Sequence, residues 1–135
     1  MPAVIAPSLT EAQYTRAKQN LINGMPYALL ANESYILSQY YVGFGKINAI
    51  NHRLDSANFY FKKALEQAAL ENDLRNEYQV YLAEAEYLKT LPPNKKLVLL
   101  DSALSIAKRT NYYQGISKAA EQLASVYDEM GNKDS

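Results

Sequence analysis

Several clusters of side chains in this chain invite a chemical reading. Gly43-Phe44-Gly45-Lys46 has the look of a phosphate-binding turn, in which glycine N–H groups would cradle an anion and the lysine would meet its charge. A dinucleotide fingerprint needs a third glycine, where this chain has Asn48, and a strand ahead of the helix. Close helix crossing explains Gly45 better. His52, the single histidine, stands beside Arg53 and Asp55 at a predicted turn, with no nucleophile nearby for it to activate, and reads as a surface residue. Glu84 with Glu86, and Asp128 with Glu129, supply carboxylates, but adjacent or alternate helical positions do not face each other, so a solvated charged face is expected. Asn32-Glu33-Ser34 fits the glycosylation acceptor pattern, yet it falls inside a predicted helix and reads as chance. The absence of cysteine removes disulfides, thiol nucleophiles and zinc clusters. The chain is therefore read as no enzyme, with no catalytic residue, metal ligand or cofactor.

The elements that would carry these residues are helical. The 135 residues suffice for one domain, and the five glycines and five prolines fall mostly at apparent boundaries: Gly24 and Pro26, Pro92-Pro93, Gly115, Gly131. Between them run segments rich in Ala, Leu, Glu, Lys and Gln, which lose little entropy in a helix. Leu54, Ala57, Phe61, Ala64, Leu65 and Ala68 recur at three-four spacing and define one apolar stripe. The predicted order is an N-terminal helix over 9–22, a hairpin over 27–71, a second over 73–109, and an unpaired helix over 112–130. Asn72 or Asp73 would cap, Pro92-Pro93 would restart the chain, and Gly131 would end the last helix.

Ala64-Leu65 recurs 39 residues on as Ala103-Leu104, which sets a period of about 39 to 40 residues. Counting back from each alanine places Gly45 opposite Glu84 and Ala124, and Tyr87 opposite Tyr127. Leu123-Ala124, Tyr127 and Gly131-Asn132 in one unit, with Ala57, Phe61 and Ala64 in another, resemble tetratricopeptide repeats in their long-helix, roughly 40-residue bacterial variant. Glu84 and Lys96 depart from that pattern, each standing where the family has a small residue. The resemblance implies an all-α, right-handed superhelix of antiparallel hairpins, about two and a half repeats plus the N-terminal helix. It also implies a segment of a larger bacterial regulatory or signalling protein.

In such arrays the first helix of each unit lines a concave groove, so the resemblance implies a protein or peptide ligand held by Gln39, Val42, Lys46 and Ala49, by Tyr78, Tyr81, Ala85 and Leu88, and by Lys118, Glu121, Ser125 and Asp128. Tyr78 and Tyr81 would be the anchors, since tyrosine brings large contact area with few torsions to freeze. The alternative is dimerisation through the face of the last helix carrying Ile116, Ala119, Ala120, Leu123 and Tyr127. Fourteen basic residues balance fourteen acidic ones, which argues against nucleic acid as partner. No stretch approaches the ~20 apolar residues of a membrane span, and residues 1–7 are proline-interrupted and lack a basic region, unlike a signal peptide. A soluble chain is expected, cytoplasmic in preference, or periplasmic if a parent chain is exported.

Overall fold

The computed structural model describes the backbone of residues 9–134 and the side chains of residues 9–131. Residues 1–7, read above for a signal peptide, and Ser135 lie outside them. Six helices follow one another: α1 Glu11–Ala31, α2 Ser34–Ile50, α3 Leu54–Leu70, α4 Leu74–Tyr87, α5 Pro93–Arg109 and α6 Tyr113–Asp134. No strand occurs among the described residues, and the all-α expectation stands.

Local chemistry sets the boundaries. Thr10 and Gln13 form a reciprocal capping box at the start of α1, each side chain accepting the other's backbone N–H. Asp73 caps α4 by accepting the Asn76 N–H at 3.1 Å, and α5 starts at Pro93, where a missing N–H costs no helix bond. Asn32, His52, Asn72 and Asn111 take left-handed backbone angles, with φ of 51°, 59°, 50° and 53°. Asparagine and histidine are enriched in that region. At three of the turns the same two hydrogen bonds recur. His52, Asn72 and Asn111 donate to Ala49, Ala69 and Lys108 at 3.1–3.2 Å, and the next residues, Arg53, Asp73 and Tyr112, donate to Asn48, Ala68 and Ala107 at 2.8–2.9 Å. This is the Schellman closure of a helix end. Alanine pays about 1 kcal/mol in the left-handed region. Asn72→Ala should therefore lose roughly that much stability in urea denaturation, while Asn72→Gly stays within about 0.5 kcal/mol of the parent; equal midpoints for the two would remove the turn from the stability account.

Two boundaries differ from the sequence reading. The helix predicted to stop at residue 22 continues through Gly24 and Pro26 to Ala31, and the break falls at Asn32-Glu33, so the first hairpin begins at Ser34 and not at residue 27. Gly24 is a packing residue: a Cβ there would collide with the hydroxyl of Tyr40 on α2. Asn32 and Glu33 accordingly sit in a turn, and Ser34 opens α2. At the other end, α6 runs through Gly131, which has no left-handed φ; glycine permits that conformation without requiring it.

Counting back from Asn32, Asn72 and Asn111 aligns α1, α3 and α5. Leu21, Phe61 and Leu100 fall eleven residues earlier, Gly24, Ala64 and Ala103 eight, and Ala28, Ala68 and Ala107 four. The three large residues are all at 0–1% exposure. Thus α1 shares the pattern of α3 and α5, which the boundary error at Gly24 had hidden. Helix starts at 34, 54, 74, 93 and 113 lie 20, 20, 19 and 20 apart, the short step being the proline turn before α5. Aligned by their starts, α2, α4 and α6 bring Gly45, Ala85 and Ala124 to one position and Ile47, Tyr87 and Val126 to another. Gly45 therefore matches Ala85, not Glu84, and the small residue thought missing from α4 is present.

Each helix packs on its chain neighbours, α2 also packs on α4, and no comparable contact joins α1 to α5 or α6. One core gathers Leu21, Ile47, Phe61, Val80 and Tyr87; a second gathers Tyr78, Leu82, Ala85, Leu100, Ala119 and Leu123. Helix α4 serves both. The hydroxyl of Ser38 donates to the Ala64 carbonyl at 3.1 Å where α2 and α3 meet.

Candidate binding groove

A recess of about 240 Å³ crosses three helices. It is lined by Gln39, Val42 and Lys46 on α2, by Tyr78, Gln79, Leu82, Ala83 and Glu86 on α4, by Tyr112, and by Lys118 on α6. Gln39, Val42, Lys46, Tyr78 and Lys118 are among the residues the sequence named, while Ala49 is buried in the first core. On α4 the set shifts by one: Gln79, Leu82 and Glu86 stand 40 residues after Gln39, Val42 and Lys46, whereas the period of 39, taken from Ala64 and Ala103, had selected Tyr78, Tyr81 and Ala85.

Tyr78 does line the recess, but its ring and hydroxyl are engaged in packing. Tyr78 is 2% exposed, its hydroxyl donates to the Gly115 carbonyl at 3.1 Å, and its ring meets Tyr112 edge-on at 5.3 Å. It ties α4 to α6 and is no free anchor. Tyr78→Phe should lower stability by about 1 kcal/mol through the lost buried hydrogen bond, read as a shift in thermal midpoint; an unchanged midpoint would mean the hydroxyl contributes nothing. Tyr81 lies outside the recess, in a shallow depression between α4 and α5 with Leu74, Val98 and Arg109. Ala85 and Leu88 are buried in the two cores. Glu121 and Ser125 are exposed on α6 and do not line the recess.

Polar groups line the groove in a defined order. The Gln39 side-chain amide donates to Asn76 Oδ1 and to Gln79 Oε1, both at 3.3 Å, which links α2 to α4 by amides. Asn76 is 1% exposed and its Nδ2 has no partner. The Lys46 ammonium lies 5.1 Å from the centre of the Tyr87 ring. Burial lowers the pKa of Lys46; the Glu86 carboxylate pushes it up and the Lys118 charge pushes it down.

The other candidates resolve as structure. Gly43 and Gly45 are buried inside α2, where added Cβ atoms would meet Leu21 at 2.8 Å and Phe61 at 2.7 Å, so no phosphate loop exists there. His52 is an exposed turn residue. Glu84 is partly buried while Glu86 lines the groove, and the two do not act as a pair. Of the predicted self-association face, Leu123 and Ala119 are buried in the second core and Ile116 packs against it; Ala120 and Tyr127, the latter 57% exposed, face outward. That face is split by its own packing on α5.

A second recess, missed in the sequence because α1 was ended too early, lies between α1 and α2. It has a volume of about 460 Å³ and is lined by Gly24, Tyr27, Ala28 and Ala31 with Tyr35, Ile36, Gln39 and Tyr40. Matching Asn32 to Asn72 and Asn111 would have placed α1 in register and exposed it. No helix among the described residues is long and apolar enough to cross a membrane. No family model, curated protein or solved structure matches this chain.

Proposed function

We propose that the chain is a tetratricopeptide-like array of stacked hairpins whose helices α2, α4 and α6 form a groove for a segment of another protein, without catalysis of its own. The observation that carries this reading is the recess across three helices spaced 39–40 residues apart, in which equivalent positions, Gln39 with Gln79 and Lys46 with Glu86, line a common wall. Side-chain amides, one cation over an aromatic ring and an apolar floor suit a peptide better than a small reactive substrate. Balanced charge makes nucleic acid an unfavourable partner. A role as the recognition arm of a larger regulatory protein follows from the same resemblance.

Selection of displayed random peptides on the folded chain tests the reading. Gln79→Arg, an exposed change in the groove wall, should abolish capture with the thermal midpoint unchanged, whereas Tyr81→Ala should leave capture intact. Capture that survives Gln79→Arg would place the ligand elsewhere. Dimerisation through α6 is the second reading, favoured by the exposure of Ala120 and Tyr127; light scattering that shows a dimer lost in Tyr127→Glu would support it.

A further inference from the structure

The two recesses adjoin, because Gln39 lines both. Their chemistry is opposite. The α1/α2 recess carries no ionisable side chain except tyrosines, and the Tyr40 ring lies against Gly24 in its wall. Around it the chain exposes Tyr27 at 74%, Leu30 at 82% and Tyr35 at 51%. That is the signature of a seat for a bulky apolar group. The far wall of the α2/α4/α6 recess has two cations, Lys46 and Lys118, against one carboxylate, Glu86, and so carries an excess positive charge. A carboxylate arriving there would offset the mutual repulsion of the lysines and the desolvation of Lys46.

Between these ends stand the amides of Gln39 and Gln79. A side-chain amide carries the same kinds of group as a peptide unit, N–H and C=O; with the Gln39 N–H groups engaged, the Gln39 carbonyl and the Gln79 amino group can pair with an extended backbone without selecting side chains. The spacing follows from helix geometry. Lys46 lies six to eleven residues beyond the Tyr35 to Tyr40 segment of α2, or roughly 9–16 Å at ~1.5 Å per residue. An extended peptide covers that span in about three to five residues at ~3.3 Å each.

We propose that the groove selects an extended peptide with two features: a bulky apolar side chain seated between α1 and α2, and, three to five residues away, a carboxylate side chain between Lys46 and Lys118. This rests on the peptide-groove reading and adds the ligand's chemistry and spacing to it.

The test uses end-blocked, fluorescently labelled alanine-serine peptides carrying one Leu and one Asp, at separations of two, four and eight residues, in both orders. Anisotropy titrations to millimolar peptide are paired with methyl NMR at Val42 and Leu82. The four-residue separation, in one order, should bind about tenfold more tightly than its Asp→Asn or Leu→Ser versions, and added salt should weaken it. Lys118→Glu should transfer the preference to a peptide with Lys in place of Asp. Ala31→Trp, exposed at the recess wall, should erase the Leu dependence and keep the Asp dependence. Both positions are exposed, and a matching thermal midpoint certifies each fold. Binding at Val42 and Leu82 that ignores charge or spacing would overturn this inference and leave the groove reading in place. Methyl signals that no peptide moves would overturn both.

Discussion

Phe61→Ala is expected to lower the free energy of unfolding by about 3–5 kcal/mol, the usual result of emptying a fully buried aromatic position. Phe61 is at 0% exposure in the first core, and its ring fills the space over Gly45, where an added Cβ would stand 2.7 Å from a ring carbon. The matched positions add a sharper test. Where α3 has Phe61, α5 has Leu100; where α2 has Gly45, α4 has Ala85. Large residue opposite glycine and medium residue opposite alanine fill similar space. Gly45→Ala alone forces a rigid ring to move and should cost about 1–3 kcal/mol, partly offset by the better helix propensity of alanine. Phe61→Leu alone leaves a void and should cost about 1 kcal/mol or more. Combined, they reproduce the α4/α5 pairing, and the double variant should be more stable than the sum of the single losses predicts by about 1–2 kcal/mol. Urea denaturation of the four proteins measures this coupling. Strict additivity would show that the two positions do not share one seat, and the equivalence of the hairpins would lose its energetic content.

The same pairing marks what was legible in the sequence and what was not. Helix type was readable because Ala, Leu and Glu fill the segments between asparagines, glycines and prolines, and because Phe61, Ala64 and Ala68 keep one stripe. Gly24 and Pro26 misled, since local propensity marks both as breakers. Tertiary packing overrides it at Gly24, whose missing side chain admits Tyr40, and the helix continues to a left-handed Asn32. Asn32, Asn72 and Asn111 carry the register, but asparagine also stands inside helices, at Asn20, Asn23, Asn48, Asn58 and Asn76, so residue type alone does not mark the turns. The α2/α1 recess was lost with that register.

Register failed for a different reason. Ala64 and Ala103 give the spacing of the second helices correctly, but the step from α4 to α5 is one residue shorter than the others, so carrying 39 back into α4 turned its groove face by one residue. A shift of one residue rotates a helix by about 100°, enough to bring in Tyr81 and Ala85, which do not line the recess, and to leave out Gln79, Leu82 and Glu86, which do. Gln39, Val42 and Lys46 on α2 line the recess, and so does Lys118 on α6, which lies 79 residues after Gln39, the same interval as between the two helix starts. Tyrosine composition could not repair the error. Tyr78 buries its ring and spends its hydroxyl on Gly115, while Tyr27 and Tyr35 stand in the open, and nothing in the residue type separates these uses.

Glu84 is the residue whose meaning the corrected register changes most, and it predicts a pH response. It occupies the position of Phe44 in α2 and Leu123 in α6, both packed against apolar cores, and its Oε1 is buried without a hydrogen-bond partner. Burial pushes its carboxyl up to about 7, with Lys62 on α3 opposing the shift. A carboxyl whose folded pKa lies above its unfolded value binds its proton more tightly in the folded state. Its stabilising contribution is complete below the unfolded pKa of about 4.3 and is lost as pH rises through about 7. With a discount for its partial exposure, the loss between pH 5 and pH 8 should be about 2 kcal/mol. Glu84→Gln keeps the shape and removes the titration, so its stability should change by about 2 kcal/mol less than the parent's over that interval. Glu84→Leu, which copies Leu123, should exceed the parent at pH 8 by about 1–3 kcal/mol, because it replaces a buried, unpaired charge with a packed apolar group. Urea midpoints at pH 5, 6, 7 and 8 for the three proteins decide the matter. If the glutamine variant follows the parent across the whole range, the proton that controls stability sits elsewhere and Glu84 reaches solvent more freely than the burial of its Oε1 implies.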